Sequence, residues 1–229
     1  MDDKFVPHLE ILPAPQRRLW DELREVPEEF VLYGGTAIAL YLGHRESIDF
    51  DFFGTSSFFP DRLYASIPFL DGAEVLQSQP DTLTCLIDRD GPAHVSFFGL
   101  PSLGCVAAPQ IAPDNNLHIA ALIDLAGTKA AAVQHRAEAK DYLDIDAMLE
   151  AGVVDLPTAL AAAAVIYGRQ FNPQTTLKAL CYFEDGNVKT LPQVVRSRLS
   201  HAVGAVNLSC LPRLEPIRPW AHNGNETRR

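Results

Sequence analysis

The chain has 229 residues, 47% hydrophobic and 21% charged, a globular balance with enough apolar content for one large domain or two small ones. A formal net charge of −10 argues against indiscriminate binding to nucleic acid or anionic membranes, and no run approaches the roughly 18 apolar residues of a membrane span. Cys85, Cys105, Cys181 and Cys210 are scattered without a C-x-x-C pair, which speaks against a zinc site or disulfide framework, and the acidic start Met-Asp-Asp-Lys does not read as an export signal, so the expected location is cytoplasmic.

Leu19, Trp20, Leu23 and Val26 follow a helical period, which predicts an amphipathic helix over 15–27. Phe30-Val31-Leu32-Tyr33 reads as a short buried strand. Gly34-Gly35 breaks it, Thr36 is placed to cap a helix running to about Leu42, and Gly43 suits its end. Ile48 to Phe53 reads as a second strand, and Pro60 to Leu70 as a short helix with proline in its first turn. Strands are expected over 73–77, 82–88 and 93–98, with Asp88-Arg89-Asp90-Gly91 as a hairpin connection between the last two. The stretch 101–113 is irregular. Helices are expected over 118–136, 138–150, 156–167, 175–183 and 191–206, the alanine-rich runs favouring helix on propensity alone. The last eighteen residues hold three prolines and no period, so 212–229 is expected to be loop or disorder.

The layout is α+β: a small mixed β-sheet with flanking helices, followed by a helical C-terminal half. The expected division is 1–112 and 113–229. Charge divides unevenly as well. Residues 1–159 hold 10 basic and 25 acidic side chains, and residues 160–229 hold 9 basic and 4 acidic. The basic end, which includes Arg169, Lys178, Lys189, Arg196, Arg198, Arg213 and Arg218, suits either a polyanion or a set of solvated helix faces.

Asp49 and Asp51 sit inside an otherwise apolar strand, where an unpaired charge is expensive. Side chains two apart share a strand face, so the two carboxylates emerge together while Ile48, Phe50 and Phe52 take the other side. Paired carboxylates repel, each raising the other's pKa, and a divalent cation removes that cost. Oxygen ligands suit Mg²⁺ or Mn²⁺, with substrate phosphates completing the shell. Gly34-Gly35 leaves backbone amides uncovered ahead of a helix N-terminus, which favours anions. A metal on one side and an anion cradle on the other suit phosphoryl or nucleotidyl transfer. A phosphatase of the haloacid-dehalogenase type would want Thr or Val where Phe53 stands, and a sugar-nucleotide glycosyltransferase has no use for the preceding Gly-Gly-Thr.

The stretch "GGTAIALYLGHRESIDFDFF" resembles the first motif of polymerase-β-type nucleotidyltransferases and is most similar to the AbiEii/AbiGii family, the toxin half of type IV toxin–antitoxin systems. A second stretch, "DLAGTKAAAVQHRAEAKDYLDIDAML", resembles a later motif of that family at Lys129, Arg136, Lys140-Asp141 and Asp144. The resemblance implies a nucleotidyltransferase fold, with Asp49 and Asp51 binding the metals that carry a nucleoside triphosphate and Gly34, Gly35 and Thr36 holding its phosphates. Lys129 and Asp141 would be the later motif's functional pair, with Arg136, Lys140 and Asp144 beside them at the nucleotide. It further implies an RNA acceptor, with tRNA the foremost, and a separate antitoxin.

On spacing alone, Lys129, Arg136 and Lys140 share one helical side if the helix is continuous, and Asp141 and Asp144 lie one turn apart. One departure stands out. Polymerase-β-type enzymes usually carry a third carboxylate on a later strand, and the matching position in "AHVSFFG" is Ser96, with His94 two residues away and read as a half-buried edge residue. The alternative reading is therefore a degenerate nucleotidyltransferase fold that binds nucleotide or a protein partner without turnover.

Overall fold

The computed structural model describes residues 5–217. The N-terminal segment forms helix α1, Ala14–Trp20, which tightens into a 3₁₀ stretch over Asp21–Glu25 and buries Leu19, Trp20 and Leu23. The helix expected over 15–27 is thus real but changes pitch midway.

Strand β1, Phe30–Tyr33, is buried along its whole length, as four consecutive apolar residues require. Helix α2, Gly34–Leu42, follows without a connecting loop and ends at Gly43, whose left-handed φ of +63° lets its amide reach the Ala39 carbonyl. Strand β2, Asp49–Gly54, alternates half-exposed and buried residues. Phe50 and Phe52 lie in the core as expected, but Ile48 precedes the strand and is half exposed.

Helix α3, Pro60–Ser66, stops short of Leu70 because a residue before proline avoids the helical region. Ile67 is accordingly extended, and Pro68–Leu70 make a separate 3₁₀ turn. Strands β3 (Glu74–Gln79), β4 (Thr82–Asp88) and β5 (Pro92–Gly99) form a meander, with the predicted Asp88–Gly91 hairpin pairing Asp88 to Pro92. Short strands β6 (Gln110–Ile111) and β7 (His118–Ile119) complete the sheet, which runs β3-β4-β5-β2-β1-β7-β6. Pairing is antiparallel except for β2 with β5 and β1 with β7, so the sheet is mixed. His118, expected to open a helix, instead lies in β7.

The helical half comprises α4 (Leu122–Ala132), α5 (Ala139–Glu150), α6 (Leu156–Tyr167), α7 (Pro173–Ala179) and α8 (Gln193–Gly204). Helix α7 ends at Ala179 rather than 183 and α8 spans Gln193–Gly204 rather than 191–206, and two further boundaries differ for physical reasons. The chain leaves the helix at Val133 and re-enters at Ala139, so Lys129, Arg136 and Lys140 do not share one continuous helix. Helix α7 starts two residues early, with Pro173 in its first turn and Asn172 accepting the Gln174 amide as a cap.

One hydrophobic cluster contains Leu32, Phe50 and Phe97 from the sheet together with Leu125, Tyr142, Leu160 and Leu199 from the helices. Helices α4 and α5 pack against α2, which in turn lies against β1 and β2, and this is what brings the second motif to the strand that carries the paired aspartates. Residues 212–217 have no regular structure, and Ile217 donates its amide to the Cys105 carbonyl at 2.9 Å. The loop expectation for 218–229 lies outside the described residues.

Candidate active site

The strand register arranges three cross-strand pairs on one face of the sheet: Asp49 with His94, Asp51 with Ser96, and Phe53 with Phe98. On the other side of β2, Tyr33 stands opposite Asp51. Because α2 starts directly after Tyr33, its first turn lies against Asp51. Gly34 adopts φ +75°, and a Cβ there would come within 2.8 Å of Asp51 Oδ2. Any larger residue at Gly34 would therefore meet both backbone strain and a clash. No side chain caps α2, so its first-turn amides are left to face whatever enters the cleft.

Thr36 does not cap. It lies within the first turn, is buried, and its hydroxyl donates to the Asp49 carbonyl while sharing a 2.7 Å hydrogen bond with Ser47 Oγ. What Thr36 offers to the cleft is backbone, and its side chain ties the start of β2 to α2.

Asp49 and Asp51 both line a cleft of about 650 Å³, together with Gly34, Gly35, Thr36, Arg45, His94, Ser96, Lys129, Arg136 and Lys140. Burial and the neighbouring Asp49 charge raise the Asp51 pKa, against the pull of Lys129, Lys140 and Arg136. His94 is not an edge residue. Its strand β5 lies between β4 and β2, and Nδ1 sits 3.5 Å from Asp49 Oδ1. Ser96 is nearly buried and takes a 3.3 Å hydrogen bond from the Thr84 hydroxyl.

The cations arrive from the helical half, about eighty residues along the chain from the aspartates. Lys129 emerges from α4 with Nζ 2.7 Å from Asp141 and 2.8 Å from Asp144. Arg136, in the α4–α5 loop, grips Asp141 through Nε at 2.6 Å and Nη2 at 3.0 Å. Lys140 is half exposed and pairs with Glu138 at 3.2 Å. Asp141 and Asp144 themselves do not reach the cleft. Both are fully buried on α5 and touch it only through the cations they hold.

Arg45 and His44, which the sequence reading passed over, complete this network. Arg45 donates to Asp144 through Nε at 2.7 Å and Nη2 at 3.0 Å, and His44 Nε2 lies 2.8 Å from the same carboxylate. A Cβ at Gly35 would meet the Arg45 guanidinium, so a larger residue there would have to displace the side chain that holds Asp144. The signal was present: two basic residues in the short link between the glycine turn and the paired aspartates. Burial pushes the Asp144 pKa up, but the His44 hydrogen bond and the Lys129 and Arg45 charges outweigh it and hold the carboxyl below the usual range. Asp141 is likewise held low, with Arg136 and Lys129 outweighing burial.

A family model described as nucleotidyl transferase AbiEii toxin of a type IV toxin–antitoxin system matches residues 18–88, the span of β1, α2 and β2 to β4. An uncharacterized protein of Aquifex aeolicus is 32% identical over 184 residues, covering 74% of this chain and 85% of that relative. The chain belongs to the AbiEii nucleotidyltransferase toxin family. Solved structures agree on the fold. The nucleotidyltransferase toxin MenT4 of Mycobacterium tuberculosis aligns with a TM-score of 0.53 over 84% of each chain at 15% identity. A candidate nucleotidyltransferase from H. pylori aligns with a TM-score of 0.51 over 82% of this chain and 89% of its own, at 13% identity. The match at 18–88 covers the aspartate pair and the glycine turn of this AbiEii-family protein. Lys129, Arg136 and Lys140 lie beyond it, so their assignment rests on geometry.

Proposed function

We propose that this AbiEii-family nucleotidyltransferase takes a nucleoside triphosphate with a divalent cation, Mg²⁺ or Mn²⁺, and transfers its nucleotidyl group to an RNA acceptor, tRNA being the foremost candidate. It would act as a growth-arresting toxin in the cytoplasm, restrained by a separate antitoxin. The observation that carries the reading is convergence: Asp49 and Asp51 from β2, and Lys129, Arg136 and Lys140 from a segment far away in sequence, line one cleft.

Among the described residues no group of three His, Cys, Asp or Glu side chains forms a ready metal cage. Two carboxylates that share a strand face, one of them with a raised pKa, nonetheless fit an ion whose remaining ligands come from substrate phosphates. Asp49 and Asp51 would hold that ion, and bound there it would neutralise charge developing on the transferred phosphate. The chain's own part is positioning. The uncapped amides of α2 accept phosphate oxygens. Lys129, fixed between Asp141 and Asp144, presents a compact positive charge whose place does not wander. Arg136 and Lys140 extend that charge along the cleft. The acceptor hydroxyl attacks the α-phosphorus and gives its proton to solvent, the bond from the α-phosphorus to the bridging oxygen breaks, and pyrophosphate leaves.

Ser96 opposite Asp51 favours a second reading, nucleotide binding without turnover, because a serine cannot take the acceptor's proton as a carboxylate would. Titration calorimetry with nucleoside triphosphates, with and without Mg²⁺, tests the site. Incorporation of radiolabel from each triphosphate into total RNA then separates transfer from binding alone. Metal-independent binding of equal strength would refute the proposed site, and tight metal-dependent binding with no label in RNA would favour the second reading.

A further inference from the structure

A second chamber of about 370 Å³ opens off the cleft and shares Gly34, Asp51, Lys129 and Arg136 with it. Its remaining lining changes character, to Phe53, Phe98, Tyr167, Thr128, Ala132 and His135, three of the six being aromatic rings of Phe or Tyr. We infer that this chamber seats the base of the incoming nucleoside triphosphate, an assignment that rests on the nucleotidyltransferase reading above and gives it a direction.

The strand register sets up the polarity. Along one face of β2 and β5 the paired positions pass from Asp49 and His94, through Asp51 and Ser96, to Phe53 and Phe98. Asp51 and Phe53 are two residues apart, about 7 Å along a strand. A ligand spanning both chambers must therefore be polyanionic at one end and flat and unsaturated at the other, with a short polar piece between. A nucleoside triphosphate has that shape.

The aromatic wall is built rather than incidental. Tyr33, itself buried, stacks on one face of Phe53 at 4.7 Å and 13°, which fixes the ring. Phe98 stands edge-on to Phe53 at 5.7 Å and 88°. Tyr167, the last residue of α6, brings a third ring from the helical half. Aromatic faces stack on any base, so the wall would bind bases without choosing strongly among them. Thr128 spends its hydroxyl proton on the Leu125 carbonyl at 2.9 Å, so only its lone pairs remain for a donor on the base edge.

The test compares a nucleoside triphosphate with inorganic tripolyphosphate, which keeps the phosphates and lacks the base. Both are titrated in Mg²⁺ without RNA into the wild type, Phe98→Leu and Tyr167→Leu. The expected result is tighter binding of the nucleotide than of tripolyphosphate by the wild type. Each variant should then weaken nucleotide binding about tenfold, in the range of one lost base stack, and leave tripolyphosphate unchanged. Unchanged tripolyphosphate binding also reports that the cleft is folded. If Phe98→Leu does not fold, Tyr167→Leu, on a different element, carries the comparison. Equal wild-type affinity for the two ligands would overturn the base assignment and leave the proposed function standing. Failure of the wild type to bind either would sink the parent reading as well. Variants that bind the nucleotide normally but lose a single-stranded RNA oligonucleotide would place the acceptor in the chamber and overturn the inference.

Discussion

Two pairs of aspartates, built from the same chemistry, are used in opposite ways. Asp49 and Asp51 are alternate residues of a strand and share a face on the cleft, and burial of Asp51 together with the Asp49 charge raises the Asp51 pKa. Asp141 and Asp144 are one turn apart on a helix, fully buried, and surrounded by Lys129, Arg136, Arg45 and His44, which hold both pKa values low. The first pair is left short of positive charge and faces the cleft. The second is saturated with it and faces inward. Under the proposed function the unsatisfied pair binds and the satisfied pair positions, even though the sequence motifs draw no distinction between them.

The sharpest way to break this comparison is to remove the satisfied pair. Asp144→Ala strands Arg45 without its buried counter-charge and leaves Lys129 to Asp141 alone, which costs roughly 3–5 kcal/mol. In a chain of this length that lowers the melting temperature by roughly 6–20 °C. Lys129→Ala should also destabilise, because it leaves two buried carboxylates facing each other, so a loss of nucleotide binding in that variant has to be read against its melting curve. If Asp144→Ala melts like the wild type, the buried network is not what holds Lys129 in place.

Removal of the unsatisfied pair should do the reverse. Asp51→Asn relieves burial of a charge and the repulsion from Asp49, so the melting temperature should hold or rise. Metal-dependent triphosphate binding should weaken about tenfold or more, the scale of one lost contact to a charged group. A destabilised Asp51→Asn, measured by scanning calorimetry, would mean that Asp51 is a structural group and the comparison is wrong.

The aspartate strand was legible because it obeys a period of two, and the glycine turn because a left-handed residue beside a carboxylate admits little else. A helical period and alanine-rich propensity located most helices. What escaped depended on contacts between distant segments. Nothing local marks His118–Ile119 as a strand, since it is two residues long and is defined by its pairing with β1 and β6. Thr36 looked like a cap, but Asp49 and Ser47 lie close enough to claim its hydroxyl. A break between α4 and α5 was expected at 137 and begins instead at Val133, and the cations converge all the same because the loop folds Arg136 back onto Asp141. Asp141 and Asp144 read as site residues in the motif, and only packing shows that they act through Lys129.

The two pairs should also separate by pH. Asp144 titrates below the ordinary range in the folded chain, so its contribution is full above the unfolded pKa of about 4 and is lost as the pH falls through the folded value. Asp51 titrates above that range, so its cost is absent at low pH and grows as the pH rises through its raised folded value. Melting temperatures taken from about pH 3 to about pH 7 should show the wild type gaining stability out of acid and Asp144→Ala gaining much less. Asp51→Asn should match the wild type at the acid end and move above it as the pH rises. Parallel curves for all three proteins would contradict the opposite assignments.

The smallest effect concerns the basic C-terminal half, where the same distinction between committed and uncommitted charge applies. Arg198 is committed, with both arms of its guanidinium 2.6 Å from Asp146 and a third contact to Glu150 at 2.8 Å. Arg196 donates to the carbonyls of Leu191 and Lys189 and lies over the Phe183 ring. Arg169, Lys178, Lys189 and Arg213 are exposed. If the acceptor is RNA, its phosphates meet the exposed group, and each contact adds about one unit to the slope of log affinity against log salt. Lys178→Gln should then flatten that slope without moving the melting temperature. Arg198→Ala should leave the slope alone and lower stability by about 1–3 kcal/mol, because it leaves the buried Asp146 carboxylate without its partner. Filter binding of RNA across a salt series, paired with melting curves, reads both quantities. A slope that responds to Arg198 and ignores Lys178 would mean that ion pairs in this half open for RNA, and that charge committed in the free protein is not committed in the complex.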